Sequence, residues 1–158
     1  MKLIVGVSDM KLSTQEDDTI VTFALGSCIG VAIYDPIAIV GGILHYMLPK
    51  ANLTPDRSLT TPYMFGDIGI PKFFREAYRL GAYKPRMRTV IVGGAGILDI
   101  QDQFNIGEKN IDIAHKLFSK NGIPINSEDT GGAISRTLYL DMASGDIWYT
   151  TSGKKILL

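Results

Sequence analysis

The chain has one cysteine, Cys28, and two histidines, of which His45 ends the apolar run that follows the cysteine. A thiolate is a nucleophile, and a neighbouring imidazole can remove the thiol proton, so the pair suggests nucleophilic catalysis. Gly26 and Ser27 directly precede the cysteine. A glycine turn before a strand can expose a thiol and leave backbone N–H groups free to hold an oxyanion, which makes both residues candidates for oxyanion or substrate binding.

Two short apolar runs, Cys28–Tyr34 and Val40–Met47, predict a β-hairpin that would position the pair. A turn at residues 35–38 places Cys28 opposite His45 on one face, with Cβ atoms roughly 5 Å apart. The segment lacks the Gly or Asn that two-residue loops prefer, so a longer loop is the alternative. A slip of one residue separates the pair onto opposite faces. With a longer loop the pair must meet at a strand end, with the cysteine on the turn.

A third group should orient the imidazole, and Thr22, just before the cysteine turn, is a candidate through its hydroxyl or its carbonyl. Each of the three residues also has a structural interpretation. Free cysteine often packs as a small hydrophobe, a histidine can be satisfied by a core carbonyl, and threonine is an ordinary strand residue. We expect His115 at the surface or boundary. Zinc needs three or four ligands at regular spacing, so no metal site is expected.

The composition is typical of a globular protein, and we expect a single domain over residues 1–158. Sixteen basic and sixteen acidic residues balance, which disfavours nucleic acid or an acidic membrane as partner. Residues 1–7 are too short an apolar run for a signal peptide, and no run approaches the roughly 20 residues of a membrane span. A single unpaired cysteine suits a reducing compartment, so we predict a cytoplasmic protein. The predicted chemistry requires no cofactor.

Strand-like runs and turn signals predict mainly antiparallel sheets, including a C-terminal hairpin across residues 141–146. A helix could start at Ile70-Pro71 and end before Gly81, or start nearer Met64 with Pro71 inside it. A second helix is expected from Gly107 to Asn121, with Gly122 as its C-cap. The pattern therefore indicates an α+β fold. The predicted strands are Lys2–Val7, Ile20–Phe23, Cys28–Tyr34, Val40–Met47, Arg88–Val92, Ile123–Asn126, Arg136–Asp141 and Ile147–Thr151.

Three further segments are interpreted structurally. The glycine cluster at 92–96 does not have the spacing of a nucleotide-binding fingerprint, so close backbone packing or a binding loop is expected. The segment 129–132 reads as a tight turn with glycines at positive φ. The polar, proline-punctuated region Pro49 to Pro62 is the best candidate for a long mobile loop beside a site.

Five motifs in this order resemble the CheD family of chemoreceptor glutamine deamidases. The match spans nearly the whole chain, and its specificity comes from the order and spacing of all five motifs. They are Leu25-Gly-Ser-Cys28, His45-Tyr-Met-Leu-Pro49, Gly93-Gly-Ala95, Ile106-Gly-Glu-Lys-Asn110 and Asp129-Thr-Gly-Gly132.

The resemblance implies a cysteine hydrolase that converts glutamine side chains of bacterial chemoreceptors to glutamate, with no cofactor. It implies an α/β sandwich also seen in some deamidating toxins. By motif, Cys28 would be the nucleophile, His45 the base and Thr22 the third member. The family's usual partner is a CheC-type phosphatase, thought to occupy the deamidase's substrate surface.

Two alternatives stay open at this point. One is a regulatory binding module with weak or no turnover that acts on a CheC-type phosphatase. The other is a different thiol hydrolase, such as an esterase acting on receptor methyl esters with the same two residues. The identity of the substrate would separate the esterase from the deamidase.

Overall fold

The computed structural model describes residues 1–52, 55–96 and 105–158, and its architecture confirms the α+β prediction. Two five-stranded sheets are formed, the first in the order β1-β3-β8-β9-β10 and the second in the order β2-β5-β4-β6-β7. The strands are β1 Lys2–Val5, β2 Asp9–Ser13, β3 Thr19–Leu25, β4 Ile29–Asp35, β5 Val40–Tyr46, β6 Arg88–Gly93, β7 Ser127–Thr130, β8 Arg136–Asp141, β9 Ile147–Thr151 and β10 Lys154–Leu157. The helices are α1 Pro55–Thr60, α2 Gly66–Arg79 and α3 Ile106–Lys120, with short 3-10 turns at Pro62–Met64 and Lys84–Arg86.

The second sheet forms the middle of three layers. Along β4, Val31 and Ile33 pack with Phe73 of α2 and Phe118 of α3, whereas Ala32 packs with residues of the first sheet. Because both faces of β4 and β5 are covered, every position of these strands is buried. This explains why the two strands read as continuous apolar runs rather than alternating ones.

Most strand pairs are antiparallel, as predicted. Among the described residues, the β1–β3 and β6–β7 pairs are the parallel ones. The predicted C-terminal hairpin is present, with Leu140 opposite Ile147. Its loop is closed by the Asp141 N–H, which donates to the Asp146 carbonyl at 2.9 Å, and Gly145 adopts a φ of 77°.

The register predicted for the central hairpin is wrong by two residues. Asp35 pairs with Val40, so the loop has four residues, and Gly30 rather than Cys28 lies opposite His45. The buried carboxylate of Asp35 causes the longer loop, because its Oδ1 accepts the loop N–H groups at positions 37 and 38 at 2.9 and 3.1 Å. A shift of two preserves the face of every side chain, so Cys28 and His45 remain on the same side.

Two edge strands were missed and one strand was misplaced. β2 and β10 are too polar to show the apolar pattern, since they are edge strands of the two sheets. The prediction for Ile123–Asn126 is wrong. Ile123 and Ile125 instead pack against the core cluster on the helix side, and pairing begins at Ser127, opposite Val90.

Helix α2 begins at Gly66, so the alternative with Pro71 inside the helix is the observed one. The lost backbone hydrogen bond lies near the N-terminus, and buried residues such as Phe73 and Phe74 anchor the helix. Helix α3 confirms the second prediction, with Gly122 at a φ of 64°. The region expected as a long loop contains α1 and a 3-10 turn, and residues 53 and 54 lie outside the described residues.

Candidate active site

The turn Gly26–Cys28 carries the chain from the first sheet to the second. Strand β3 ends at Leu25 in one sheet, and β4 begins at Ile29 in the other. The β3–β8 register shifts between Thr22 and Leu25, and Ala24 has a φ of 55°, which is uncommon for a residue with a side chain. Bulges of this kind bend a strand and are frequent beside active sites. The bulge therefore lets the cysteine turn cross between the layers.

Thr22 and His45 meet between the two sheets. The Thr22 hydroxyl lies 2.7 Å from His45 Nδ1, and both side chains are buried. The same hydroxyl donates its single hydrogen to the Val5 carbonyl at 2.8 Å. Because that hydrogen is already used, Nδ1 must carry a proton and donate it to the Thr22 oxygen. The threonine acts through its hydroxyl, and its two contacts specify the imidazole tautomer.

This tautomer leaves a lone pair on His45 Nε2. That atom is buried and has no hydrogen-bond partner among the described residues. A buried polar atom without a partner costs free energy, and a catalytic role is one of the reasons for which such an atom is kept. The imidazole is thus oriented to accept a proton at Nε2.

Cys28 lies on the turn, one residue before β4, and is a diagonal neighbour of His45 because Gly30 is the directly opposed residue. Diagonal neighbours on one face have Cβ atoms roughly 7 Å apart, within reach of an imidazole side chain. Gly30 contributes no side chain between them. A Cβ there would lie 2.9 Å from methyl groups of Leu25 and Leu138, so a larger residue would require these side chains to move. The thiol is partly exposed, unlike a fully packed cysteine.

Burial shifts both titratable groups toward their neutral forms. It lowers the pKa of His45 to about 4 and raises the pKa of Cys28 to about 11, although the backbone amide of Cys28 acts in the opposite direction. At neutral pH the free protein therefore holds a neutral thiol and a neutral imidazole rather than an ion pair. The thiol must lose its proton as it reacts.

All three carbonyls of the cysteine turn are fixed by hydrogen bonds. Gly26 O accepts the Ala95 N–H at 2.9 Å, Ser27 O accepts the Asn110 Nδ2–H at 2.8 Å, and Cys28 O accepts the Gly94 N–H at 2.8 Å. Within residues 1–52, 55–96 and 105–158, no other residue accepts the N–H of Ser27 or Cys28. The turn is therefore held through its three carbonyl groups, and the N–H groups of Ser27 and Cys28 are available to a ligand.

The glycine cluster explains how the turn is supported, and it confirms the prediction of close backbone packing. Gly93 has a φ of 115°, and a Cβ there would lie 2.2 Å from the Cys28 carbonyl oxygen. Gly94 has a φ of 65°, and a Cβ at Gly107, near the start of α3, would lie 2.6 Å from the Gly94 carbonyl oxygen. Only glycine fits these close approaches.

Asn110 ends the fourth of the five motifs, and no role is predicted for it from the sequence. It is completely buried and donates both Nδ2 hydrogens, one to Ser27 O at 2.8 Å and one to Met47 O at 3.0 Å. It thereby ties α3 to the cysteine turn and to the end of β5. The Tyr46 hydroxyl donates to the Asn110 carbonyl at 2.5 Å and strengthens this connection. The sequence signal for this role was that Asn110 is polar although it lies on the apolar face of the predicted helix.

Arg136 connects the first sheet to the same region. Its buried guanidinium donates to the carbonyls of Gly93 and Gly131 at 3.3 and 2.9 Å and pairs with Asp129 at 2.8 Å. Gly131 and Gly132 have positive φ as predicted, but Asp129 belongs to β7 rather than to the turn. His115 is exposed and pairs with Glu128, in agreement with the surface position expected for it.

Two negative findings concern the described part of the chain. It contains no group of three or more His, Cys, Asp or Glu side chains that could hold a metal ion. No helix in it has the length and apolar character needed to cross a membrane.

Comparison with known proteins identifies the family. A family model described as "CheD chemotactic sensory transduction" matches residues 47–151. The chain is 50% identical over 151 residues to "Probable chemoreceptor glutamine deamidase CheD 1" of Syntrophus aciditrophicus (strain SB), covering 96% of this chain and 94% of that relative. The chain belongs to the CheD family. A second CheD relative, "Probable chemoreceptor glutamine deamidase CheD" of Solibacter usitatus (strain Ellin6076), is 42% identical over 154 residues, 98% of this chain and 91% of that protein.

The CheD family model begins at residue 47, so its match includes Asn110 and Arg136 but not the Thr22, Cys28 and His45 positions. Among solved structures, the crystal structure of Bacillus licheniformis hypothetical protein YfiH matches at a TM-score of 0.49 and 16% identity, covering 79% of this chain and 51% of that chain. That likeness is too remote to support an argument.

Proposed function

We propose that this CheD-family chain is a protein-glutamine deamidase, an amidohydrolase that converts glutamine side chains of chemoreceptors to glutamate and ammonia. The names of the relatives support this substrate. The observation that carries the proposal is that His45 Nε2 has no partner among the described residues. Thr22 holds the other ring nitrogen, and the imidazole lies on the same face as Cys28, the only cysteine in the sequence.

In the first half of the reaction, Cys28 is the nucleophile and His45 the base. His45 Nε2 takes the thiol proton as the sulfur bonds to the side-chain carbonyl carbon of glutamine. The resulting imidazolium has a proton on each nitrogen, and Thr22 Oγ1 continues to accept the one on Nδ1. The Nε2 proton then passes to the amide nitrogen. The C–N bond breaks, ammonia leaves and a thioester remains.

In the second half, His45 Nε2 removes a proton from a water molecule that attacks the thioester carbon. The C–S bond breaks, the sulfur leaves as thiolate and takes the proton back from Nε2, and the glutamate side chain is released. The N–H groups of Ser27 and Cys28 are the oxyanion donors in both tetrahedral intermediates. Gly26 contributes by fixing the turn, since its carbonyl is held by Ala95.

The location is inferred from the single unpaired cysteine, and the partner is inferred from the family resemblance. A cytoplasmic location and an interaction with a CheC-type phosphatase remain predictions. The partner would compete with the receptor if it occupies the substrate surface, so excess phosphatase is expected to slow deamidation.

The proposed activity is tested with purified protein and short glutamine peptides, by measuring released ammonia and mapping the product by mass spectrometry. We expect glutamine to be converted to glutamate in stoichiometric proportion to ammonia. Peptides in which norleucine replaces glutamine are the control and should release none. Absence of ammonia with every glutamine peptide and with a receptor fragment would contradict the proposal.

A further inference from the structure

A cavity of about 330 Å³ lies between the segment that follows β5 and helix α3. Its lining combines three lysines and one aspartate with a small apolar floor. The lining residues are Pro49, Lys50, Lys109, Asp112, Ile113 and Lys116.

The wall formed by Pro49 and Lys50 is held in place by the first turn of α2. The Pro49 carbonyl accepts the Asp67 N–H at 3.0 Å, and the Ala51 N–H donates to Asp67 Oδ1 at 3.2 Å. Lys50 therefore stands between two residues whose backbones are fixed. The opposite wall belongs to α3, where Lys109 and Lys116 are two helical turns apart on the cavity side.

The cavity adjoins the groups that support the candidate nucleophile. Lys109 directly precedes Asn110, whose amide holds both the Ser27 carbonyl and the Met47 carbonyl. On the other wall, Pro49 follows Met47 by two residues. These links connect both walls of the cavity to the segments beside Cys28, which makes the cavity a candidate for contacts with a polypeptide that presents a glutamine there.

The charge of the cavity is positive, whereas the chain as a whole is neutral, with 16 basic and 16 acidic residues. Asp112 is the one acidic residue of the lining, and its charge offsets that of one of the three lysines. Among the described residues, none of the three lysines forms an ion pair with a carboxylate. The next acidic residue on α3, Glu108, lines a different cavity with Gly94 and Gly107. An excess of two positive charges thus remains for a ligand.

We propose that this lysine cavity binds an acidic side chain of the substrate segment, so that the enzyme prefers glutamines that have a carboxylate nearby in the receptor. This inference rests on the proposed deamidase function. Opposite charges on a binding surface raise the association rate and select among partners, and ammonium groups on exposed side chains contribute modestly to affinity.

The test uses matched glutamine peptides in which a glutamate, a glutamine or a lysine is placed at each neighbouring position in turn. We expect kcat/KM to be about five-fold higher for the best glutamate peptide than for its neutral counterpart, and the difference to shrink at high salt. The variants Lys116→Glu and Lys109→Glu should reverse this preference toward the lysine peptide. Lys154→Glu, on the edge strand of the other sheet, is the matched control and should leave the preference unchanged.

The outcomes separate this inference from the function on which it depends. Equal turnover of glutamate, neutral and lysine peptides by the wild type, or an unchanged preference in Lys116→Glu and Lys109→Glu, would overturn the inference and leave the deamidase intact. If Lys154→Glu altered the peptide preference as much as the cavity variants do, the preference would result from overall charge, and the inference would also be overturned. Absence of turnover with every peptide would contradict both the deamidase function and the cavity inference.

Discussion

At the scale of single residues, the hydrogen bonds of Thr22 determine which nitrogen of His45 can accept a proton. The Thr22 hydroxyl donates its hydrogen to the Val5 carbonyl and accepts the Nδ1 proton of His45, which orients the imidazole. Nε2 is left without a partner among the described residues. Burial keeps the imidazole and the thiol neutral in the free protein. The mechanism we propose therefore depends on proton transfer during the attack and not on a preformed thiolate.

The reactivity of the thiol is therefore expected to depend steeply on pH. With the pKa of Cys28 raised to about 11 by burial, the thiolate fraction increases throughout the neutral and mildly alkaline range. Alkylation by iodoacetamide should rise continuously from pH 7 to pH 9, because a thiol with a raised pKa shows no plateau there. The single cysteine makes intact-mass measurement sufficient, and Cys28→Ala is the blank. A plateau below pH 7 would instead indicate a cysteine–histidine ion pair.

The role of the Thr22 hydroxyl is tested by comparing Thr22→Ser with Thr22→Val. Serine keeps an oxygen for His45 Nδ1, whereas valine has the shape of threonine and leaves that nitrogen unpaired. We expect valine to lower kcat about a hundredfold, with a much smaller change for serine. Kinetics on one glutamine peptide, at temperatures where both variants are folded, provide the measurement. Similar kcat values for the two variants would argue against an orienting hydroxyl.

At the scale of elements, the central hairpin depends on the carboxylate of Asp35. Its oxygens accept N–H groups at residues 37, 38 and 83, and Arg86 pairs with it at 3.0 Å. Burial alone would raise its pKa, but the Arg86 contact and the backbone amides outweigh burial and lower the pKa to about 2. These contacts determine the four-residue loop and therefore which residue lies opposite His45.

Replacement Asp35→Asn should lower the free energy of unfolding at pH 7 by about 2 kcal/mol, since the charge-assisted bonds are lost. The folded-state pKa is depressed, so this stability is present above about pH 4 and disappears as pH falls toward 2. Denaturant titrations of both proteins across this range measure the difference. Asp141→Asn is the control, because Asp141 closes a loop and has no guanidinium partner among the described residues. A constant difference down to pH 2 would contradict this account.

The sequence was sufficient for the strongly patterned elements and for the candidate residues. The apolar runs at β4 and β5 and the period of α3 predicted those elements closely. The longer loop, with Cys28 on the turn, was one of the alternatives for the hairpin, but the sequence could not select it, because Asp35 is also held by Tyr83 and Arg86, 48 and 51 residues away. The role of Asn110 depends on two carbonyls from distant segments, and pattern analysis has no access to such long-range hydrogen bonds.

At the scale of the whole molecule, three layers converge on one turn. The first sheet supplies Thr22 and the bulged end of β3, the middle sheet supplies His45 and the start of β4, and α3 supplies Asn110. Arg136 links the first sheet to the ends of β6 and β7 in the middle sheet, because it donates to the carbonyls of Gly93 and Gly131. The candidate active site is therefore a product of the crossing between the sheets, and its geometry depends on all three layers being packed.

The central claim is that the Cys28 thiol performs the deamidation of receptor glutamines. Its most direct test is to incubate a chemoreceptor cytoplasmic fragment with wild-type protein or with Cys28→Ala and to map glutamine-to-glutamate conversion by peptide mass spectrometry. Matched unfolding curves establish that the variant is folded, which is expected because a partly exposed thiol is replaced by a smaller apolar side chain. The account predicts site-specific conversion by the wild type and none above background by Cys28→Ala. Equal conversion by both proteins would contradict it.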